Sequence, residues 1–222
     1  MKIPVDKIVY INMDRAMIRK RNLLAHFKTL DLRDKNGDEP IRMPGLDGNF
    51  VNHQVIQKKA LGHKGQPISI SEIGCYGSHR AVMIKQLLNE WGTVLYLEDD
   101  VRFKKEGLQT LINNWDSLPE YDMLNLSWGY YGLPEKPERT EVPFPGLKHF
   151  WKGDGMWLCH AYIFTLEGAK IAEEYTKNQT HGLDWHYSVM QTNMKSYGFK
   201  YGEIASQDNR GSGMRSQIIH TS

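Results

Sequence analysis

Three consecutive carboxylates, Glu98, Asp99 and Asp100, close a short run of strand formers, Thr93-Val94-Leu95-Tyr96-Leu97. In an open α/β sheet, ligands bind beyond the carboxyl ends of the strands. Side chains alternate along extended backbone, so Glu98 and Asp100 point to one side. An all-oxygen donor set suits a hard divalent cation, magnesium or manganese, which takes one or two carboxylates together with substrate phosphates. The triplet therefore reads as part of an enzyme that handles a phosphorylated donor through a metal. Adjacent acids at a strand end also serve as turns and helix caps, so the triplet alone leaves that role open too.

Two further groups carry chemistry. Tyr10-Ile11-Asn12-Met13-Asp14-Arg15 runs from an apolar strand into a helix that carries Arg19, Lys20 and Arg21. A helix N-terminus after a strand is a ready anion site, and arginine adds a fork that matches phosphate. Lys20 and Arg21 read as helix surface. Ser71-Glu72-Ile73-Gly74-Cys75-Tyr76-Gly77-Ser78-His79-Arg80 opens another helix. Glycine in a helix interior costs about 1 kcal/mol relative to alanine. Gly74 and Gly77 thus point to close approach of a backbone or a ligand. His79 falls on the same helical face as Glu72.

The elements that position these groups follow from pattern. Lys7 to Met13 reads as a buried first strand, followed by a helix over Arg15 to Leu30 capped by Asp14. Ile41 to Met43 is a short strand that runs into the loop Pro44-Gly45-Leu46-Asp47-Gly48. Ser69 and Glu72 have capping-box spacing at the head of a helix that reaches Trp91, with Gly92 as its stop. Lys104 to Trp115 reads as a helix and Tyr121 to Ser127 as a strand. Leu133 to Gly146 holds four prolines and reads as a long loop of the kind that carries binding functions. Phe150 to Thr165 reads as one or two strands broken at Gly153-Asp154-Gly155. Helices over Leu166 to Lys177 and Asp184 to Lys195 and a strand over Phe199 to Ile204 complete the pattern.

The composition is that of a soluble globular chain, with 222 residues, 40% hydrophobic and 24% charged. That length supports one sizeable core. A net charge of +2 is too small to argue for nucleic acid. Residues 1 to 64 hold 13 basic and 7 acidic side chains, a balance that suits a diphosphate neighbour. No run has the length of a transmembrane helix, and Pro4, Asp6 and Lys7 interrupt the first apolar stretch. The expectation is a cytoplasmic chain with no integral membrane segment, whose Asn125 and Asn178 sequons carry no weight. Two cysteines, Cys75 and Cys159, fit a reducing compartment and are not expected to build a metal site. A Gly-x-x-x-x-Gly-Lys phosphate loop is absent.

Taken in order, these segments resemble glycosyltransferase family 25, which includes bacterial lipooligosaccharide β-galactosyltransferases and collagen galactosyltransferases. Val9-Tyr10-Ile11-Asn12-Met13-Asp14-Arg15 is similar to the family's opening motif. Gly45-Leu46-Asp47-Gly48 is similar to its Ala-x-Asp-Gly element, with a departure at the first position. Glu72 to His79, Leu97 to Val101, Ala161 to Ala169 and Asp184-Trp185 follow in the family's order. The resemblance implies one domain over residues 1–222, with a nucleotide-sugar half over 1–130 and an acceptor half over 131–222. It implies a GT-A-like, Rossmann-type α/β fold with a mixed central sheet. It implies a UDP-sugar donor, a manganese or magnesium requirement, and transfer of galactose or glucose with inversion to a glycan, glycolipid or protein hydroxyl, as in lipopolysaccharide biosynthesis. Carried over residue by residue, Asp100 and Glu98 hold the metal, Glu98 also serving the ribose or a metal-bound water. Asn12, Asp14, Arg15, Arg19, His79, Arg80, Glu98 and Asp99 line the donor site, Asp99 turned to hold its loop.

An inverting transfer also needs a base for the acceptor hydroxyl. Asp184, ahead of the aromatic stretch Trp185-His186-Tyr187, is the candidate; its competing role is helix N-cap, and Asp154 stands in reserve. His181 and His186 are weaker candidates as metal ligands. Two other function classes fit the triplet: a metal-dependent nucleotidyltransferase or phosphohydrolase, and a non-catalytic carbohydrate-binding protein of the same fold.

Overall fold

The computed structural model describes residues 1–62, 65–129, 139–153, 155 and 157–208. Its organising element is an eight-stranded mixed sheet in the order β2-β1-β3-β8-β5-β9-β7-β6. The strands are β1 (Lys7–Asn12), β2 (Ile41–Pro44), β3 (Thr93–Glu98), β5 (Met123–Trp128), β6 (Arg139–Glu141), β7 (Phe150–Gly153), β8 (Ala161–Thr165) and β9 (Ser196–Lys200). A short antiparallel pair, β4 (Val101–Phe103) with β10 (Ala205–Gln207), stands beside it. The helices are α1 (Met17–Leu30), α2 (His53–Gln57), α3 (Ile70–Leu88), α4 (Lys105–Asn113), α5 (Leu166–Tyr175) and α6 (Leu183–Met190).

β1 lies parallel to both β2 and β3, and parallel neighbours need crossover connections, here made by helices. β8 then enters antiparallel between β3 and β5, so the two halves of the chain share one sheet. The central strands are apolar on both faces because both faces are covered. Ile8, Tyr10, Leu95, Leu97 and Ile163 pack with Leu23 and Phe27 of α1 and Leu108 and Leu111 of α4. The alternate residues Val9, Ile11, Val94, Tyr96, Tyr162 and Phe164 pack with Tyr76, Val82 and Met83 of α3, Ala172 of α5 and Tyr187 of α6.

Several ends differ from the sequence reading, each for a visible reason. Asp14 does not cap α1: the helix starts at Met17 behind Ala16, which makes no side-chain cap, and Arg42 donates to the Asp14 carboxylate at 2.5 Å. The capping box of α3 is present, with Glu72 N–H donating to Ser69 Oγ and Ser69 N–H to Glu72. Its stop is not Gly92. Glu90 takes the left-handed conformation at φ 50°, while Gly92 is small because the Asp6 carboxylate lies against it. The last strand begins earlier than its apolar run, at Ser196, because β5 and β7 flank Gly198 on either side. The proline-rich stretch contains β6, paired with β7, and its residues 133–138 lie outside the described residues.

Asp34 shows how the polar edge is held. Its carboxylate is buried, and accepts from the backbone N–H of Asn36 at 2.8 Å and of Asp38 at 3.0 Å and from the Lys7 ammonium at 3.0 Å. Burial opposes its charge, but the Asp38 amide, the Lys7 ammonium and the Asn36 amide together outweigh burial and lower its pKa. A group depressed in the folded state stabilises above its unfolded pKa and loses that contribution as pH falls through the folded value. Asp34→Asn is expected to cost about 1–3 kcal/mol at neutral pH, the range for disrupting a buried charged hydrogen-bond set. Urea denaturation checks this, and the difference from wild type should shrink as the pH is taken below the usual carboxylate range.

Candidate active site

Asn12 and Glu98 end the adjacent parallel strands β1 and β3, where the pairing sets Ile11 opposite Glu98. Asn12 is fully buried and bonded on every side. Its Nδ2 donates to Asp99 Oδ2 at 2.7 Å and to the Ala16 carbonyl at 3.2 Å. Its Oδ1 accepts from Arg42 Nε at 3.2 Å, and its carbonyl accepts from the Gly45 amide. Arg19, one turn into α1, donates to the other Asp99 oxygen at 2.9 Å. Asp99 is therefore a buried bracket between β3, β1 and α1, and its neighbours Glu98 and Asp100 are left for other partners.

Glu98 meets His79 and Cys75 of α3. His79 Nε2 lies 3.1 Å from Glu98 Oε1, and the Cys75 thiol donates to the same oxygen at 3.7 Å. Burial works against the Glu98 charge, but the His79 hydrogen bond leads the effects that bring its pKa below the usual value. Asp100 has the opposite fate. Burial, and after it the neighbouring Glu98 charge, push its pKa up to about 7. Asp184, in the first turn of α6, is raised by burial and by Glu98, with the Cys159 thiol and the Leu158 amide pulling the other way. The N-cap of α6 is Gly182, so capping is not the role of Asp184. Asp100 Oδ1 and Asp184 Oδ1 are buried with no hydrogen-bond partner among the described residues. Asp100 and Asp184 are each raised in pKa by the Glu98 charge, and their unpartnered buried oxygens are donors of the kind a hard divalent metal takes.

Glu98 opens onto a cleft of about 860 Å³, which neither Asp100 nor Asp184 lines. Asn12, Arg15, Arg19, His79, Glu98 and Asp99 line it, as does the N-terminal end of α1 at Ala16 and Ile18. Its far wall is the loop Gly45–Gly48, seated directly on α3. A β-carbon at Gly74 would meet the Leu46 carbonyl at 2.6 Å, and one at Gly77 the Leu46 side chain at 2.4 Å. The Leu46 amide donates to Ser78 Oγ at 2.7 Å, and Ser78 in turn donates to the Gly74 carbonyl. The close approach that the two glycines predict is thus made by Leu46, with its backbone at Gly74 and its side chain at Gly77. Arg15 closes the mouth through an ion pair with Asp47.

Other expected site residues lie elsewhere. Arg80 points to α5, donating to Glu173 at 2.8 Å, and Asp14 is an exposed partner of Arg42; neither lines the cleft. His186 Nε2 accepts from the Thr180 and His181 amides and its Nδ1 meets the Tyr175 carbonyl, so it fastens the entry to α6. His181 stacks on Trp185. Asp154 lies outside the described residues. Sequence reasoning gave no site role to Cys75, Ser78, Arg42, Cys159 or His160. The i, i+4 spacing of Cys75 and His79 was the available signal for one of them. For His160, whose Nε2 meets Ser127 Oγ at 2.8 Å and whose burial pushes its pKa down to about 4, no local signal existed.

A sequence profile of the family described as glycosyltransferase family 25 (LPS biosynthesis protein) matches residues 6–187. A glycosyltransferase 25 family member of Drosophila pseudoobscura pseudoobscura is 26% identical over 187 residues, covering 76% of this chain and 27% of that protein. Procollagen galactosyltransferase 2 of Homo sapiens is 25% identical over 182 residues, with the same two coverages of 76% and 27%. The chain thus spans about a quarter of the length of these relatives. A solved glycosyltransferase involved in the glycosylation of the major capsid of PBCV-1 superposes with a TM-score of 0.38 at 10% identity, covering 77% of this chain and 66% of that one.

Because Asp99 answers both Asn12 and Arg19, Asp99→Ala strands a buried amide and a half-buried guanidinium. The expected loss is about 1–3 kcal/mol in urea denaturation. Asp99→Asn, which keeps one acceptor, should lose less.

Proposed function

The chain belongs to glycosyltransferase family 25, and from that premise we propose that its cleft binds a UDP-hexose and transfers the sugar, with inversion, to a hydroxyl of a glycan, glycolipid or protein. One observation carries this reading. At the carboxyl end of β3, Glu98 interacts electrostatically with Asp100 and with Asp184 of α6, and each of those two has an unpartnered buried oxygen. Glu98 lines a cleft that is also bordered by two arginines and an uncapped helix end.

The division of labour follows from placement. The start of α1 and the guanidinium of Arg15 present positive charge to a diphosphate. Arg19 adds charge while it holds Asp99. Glu98 and Asp100 would hold manganese or magnesium, which supplies neutralisation of the departing diphosphate. In the transfer, the acceptor oxygen bonds to the anomeric carbon as the bond from that carbon to the diphosphate oxygen breaks. Asp184 accepts the hydroxyl proton. The galactosyl specificity printed in the name of the human relative makes galactose the first sugar to test. Hexose discrimination rests on a few placed polar groups, so the donor is identified by assay.

Hydrolysis of a panel of UDP-sugars with manganese, followed by UDP release, needs no acceptor and tests the reading. One UDP-hexose should be cleaved well above the rest. Cleavage of none, with no calorimetric binding of UDP and manganese, would refute it and favour a non-catalytic carbohydrate-binding role. Asp100→Ala should retain the folded circular dichroism spectrum and lose metal-dependent cleavage by at least about 100-fold, the scale of a lost electrostatic stabiliser. Once an acceptor is identified, Asp184→Asn should bind UDP as tightly as wild type and lose transfer by about 100-fold or more, the scale of a lost general base. Persistent transfer would assign the base elsewhere.

A further inference from the structure

The wall of the cleft carries a donor set of a different chemical kind from the carboxylate group. Cys75 Sγ, His79 Nε2 and Glu98 Oε1 all lie within 4.8 Å of one another. Within that set, His79 Nε2 is 3.1 Å and Cys75 Sγ 3.7 Å from Glu98 Oε1. Tetrahedral zinc, with bonds of about 2.0–2.3 Å, needs its ligand atoms about 3.5 Å apart. Two of the three separations are therefore at ligand spacing before any ion arrives, and the third is within 4.8 Å. We propose that Cys75, His79 and Glu98 form a binding site for a soft divalent cation of the zinc class, with its fourth position open to the cleft.

Three further features support the site. Cys75 and His79 are one turn apart on α3, which rests on the central sheet beneath, so their separation is fixed by the helix. His79 is buried and its Nδ1 is 2.7 Å from the Tyr162 hydroxyl, which in turn lies 3.2 Å from the Tyr187 hydroxyl. With the ring proton on Nδ1 and donated to Tyr162, Nε2 offers its lone pair to an ion. That is the outer-shell arrangement metal-binding histidines use. All three residues also line the cleft, which gives the ion a path in.

Proton balance is simple. The sulfur–metal bond forms as the Cys75 S–H proton leaves to solvent. The histidine binds through Nε2 with its ring proton on Nδ1. The site does not depend on the transferase reading. If that reading holds, a soft ion here takes Glu98 from the manganese site.

Cobalt(II) is the probe, because a thiolate–cobalt bond gives a near-ultraviolet charge-transfer band that carboxylate and imidazole ligands do not. Titration of the full chain should raise that band with saturation at one equivalent, and zinc should bleach it. The chain has two cysteines, so the assignment is clean: Cys75→Ala should abolish the band and Cys159→Ala should keep it. Cys75→Ser, closer in size, serves if the alanine variant unfolds by circular dichroism. Tyr162→Phe, which removes the partner of His79 Nδ1, should weaken cobalt binding by about tenfold or more. No band at millimolar cobalt, or a band that survives loss of Cys75, would overturn the site. Neither result bears on UDP-sugar cleavage, so the two readings fail separately.

Discussion

The contact from the Asn12 amide to the Asp99 carboxylate is the constraint on which the rest of the site depends. It joins the end of β1 to the turn after β3 and is buried at the base of the cleft. A buried carboxylate without partners is expensive, so this one is answered twice, by Asn12 and by Arg19. Asn12 also holds Arg42 and the Gly45 amide, and through them β2 and the loop beyond it. The strand ends, the start of α1 and the wall of the cleft are thereby set in one frame. Glu98 and Asp100, on either side of the bracket, inherit their positions from it.

Three neighbouring acids so have three electrostatic fates. Asp99 is consumed by structure. Glu98, supported by His79, is held as an anion. Asp100 is pressed toward neutrality by burial and by the charge of Glu98. Ranked environments of this kind allow one short stretch of chain to supply a structural tie, a charged ligand and a group whose ionisation positive charge promotes. Asp184 joins them from a different part of the sequence, which is why α6 belongs to the site although it follows β8 in the chain.

Much of this was legible in the sequence, and the failures have physical causes. β1, β3 and α3 were readable because apolar period, capping box and strand composition agree within a few residues. The acid triplet was readable because acids seldom follow a buried strand without a reason. The roles of Asp14 and Gly92 were misread because each has a tertiary partner, Arg42 and Asp6, that no local window contains. Arg80 follows His79 in sequence but points about a quarter turn away on the helix, toward Glu173. β4, β6 and β10 are three-residue strands and exist only through their pairing. The gathering of Cys159, His160 and Asp184 near Glu98 depends on β8 lying beside β3, a long-range pairing that periodicity does not encode.

The seat of the Gly45–Gly48 loop on α3 has a consequence for how this protein tolerates change. The width of the cleft is set at position 74 by the lack of a side chain, since the Leu46 carbonyl occupies the space a methyl group would need. A dimension defined by an empty volume can be altered in one direction only. No residue is smaller than glycine, so every replacement there pushes the wall outward and none draws it in. A narrower cleft has to come from the side chains on the opposite rim, such as Arg15 and Ile18. Narrowing is therefore open only to the exposed edge of the pocket, and its wall can change only by moving outward.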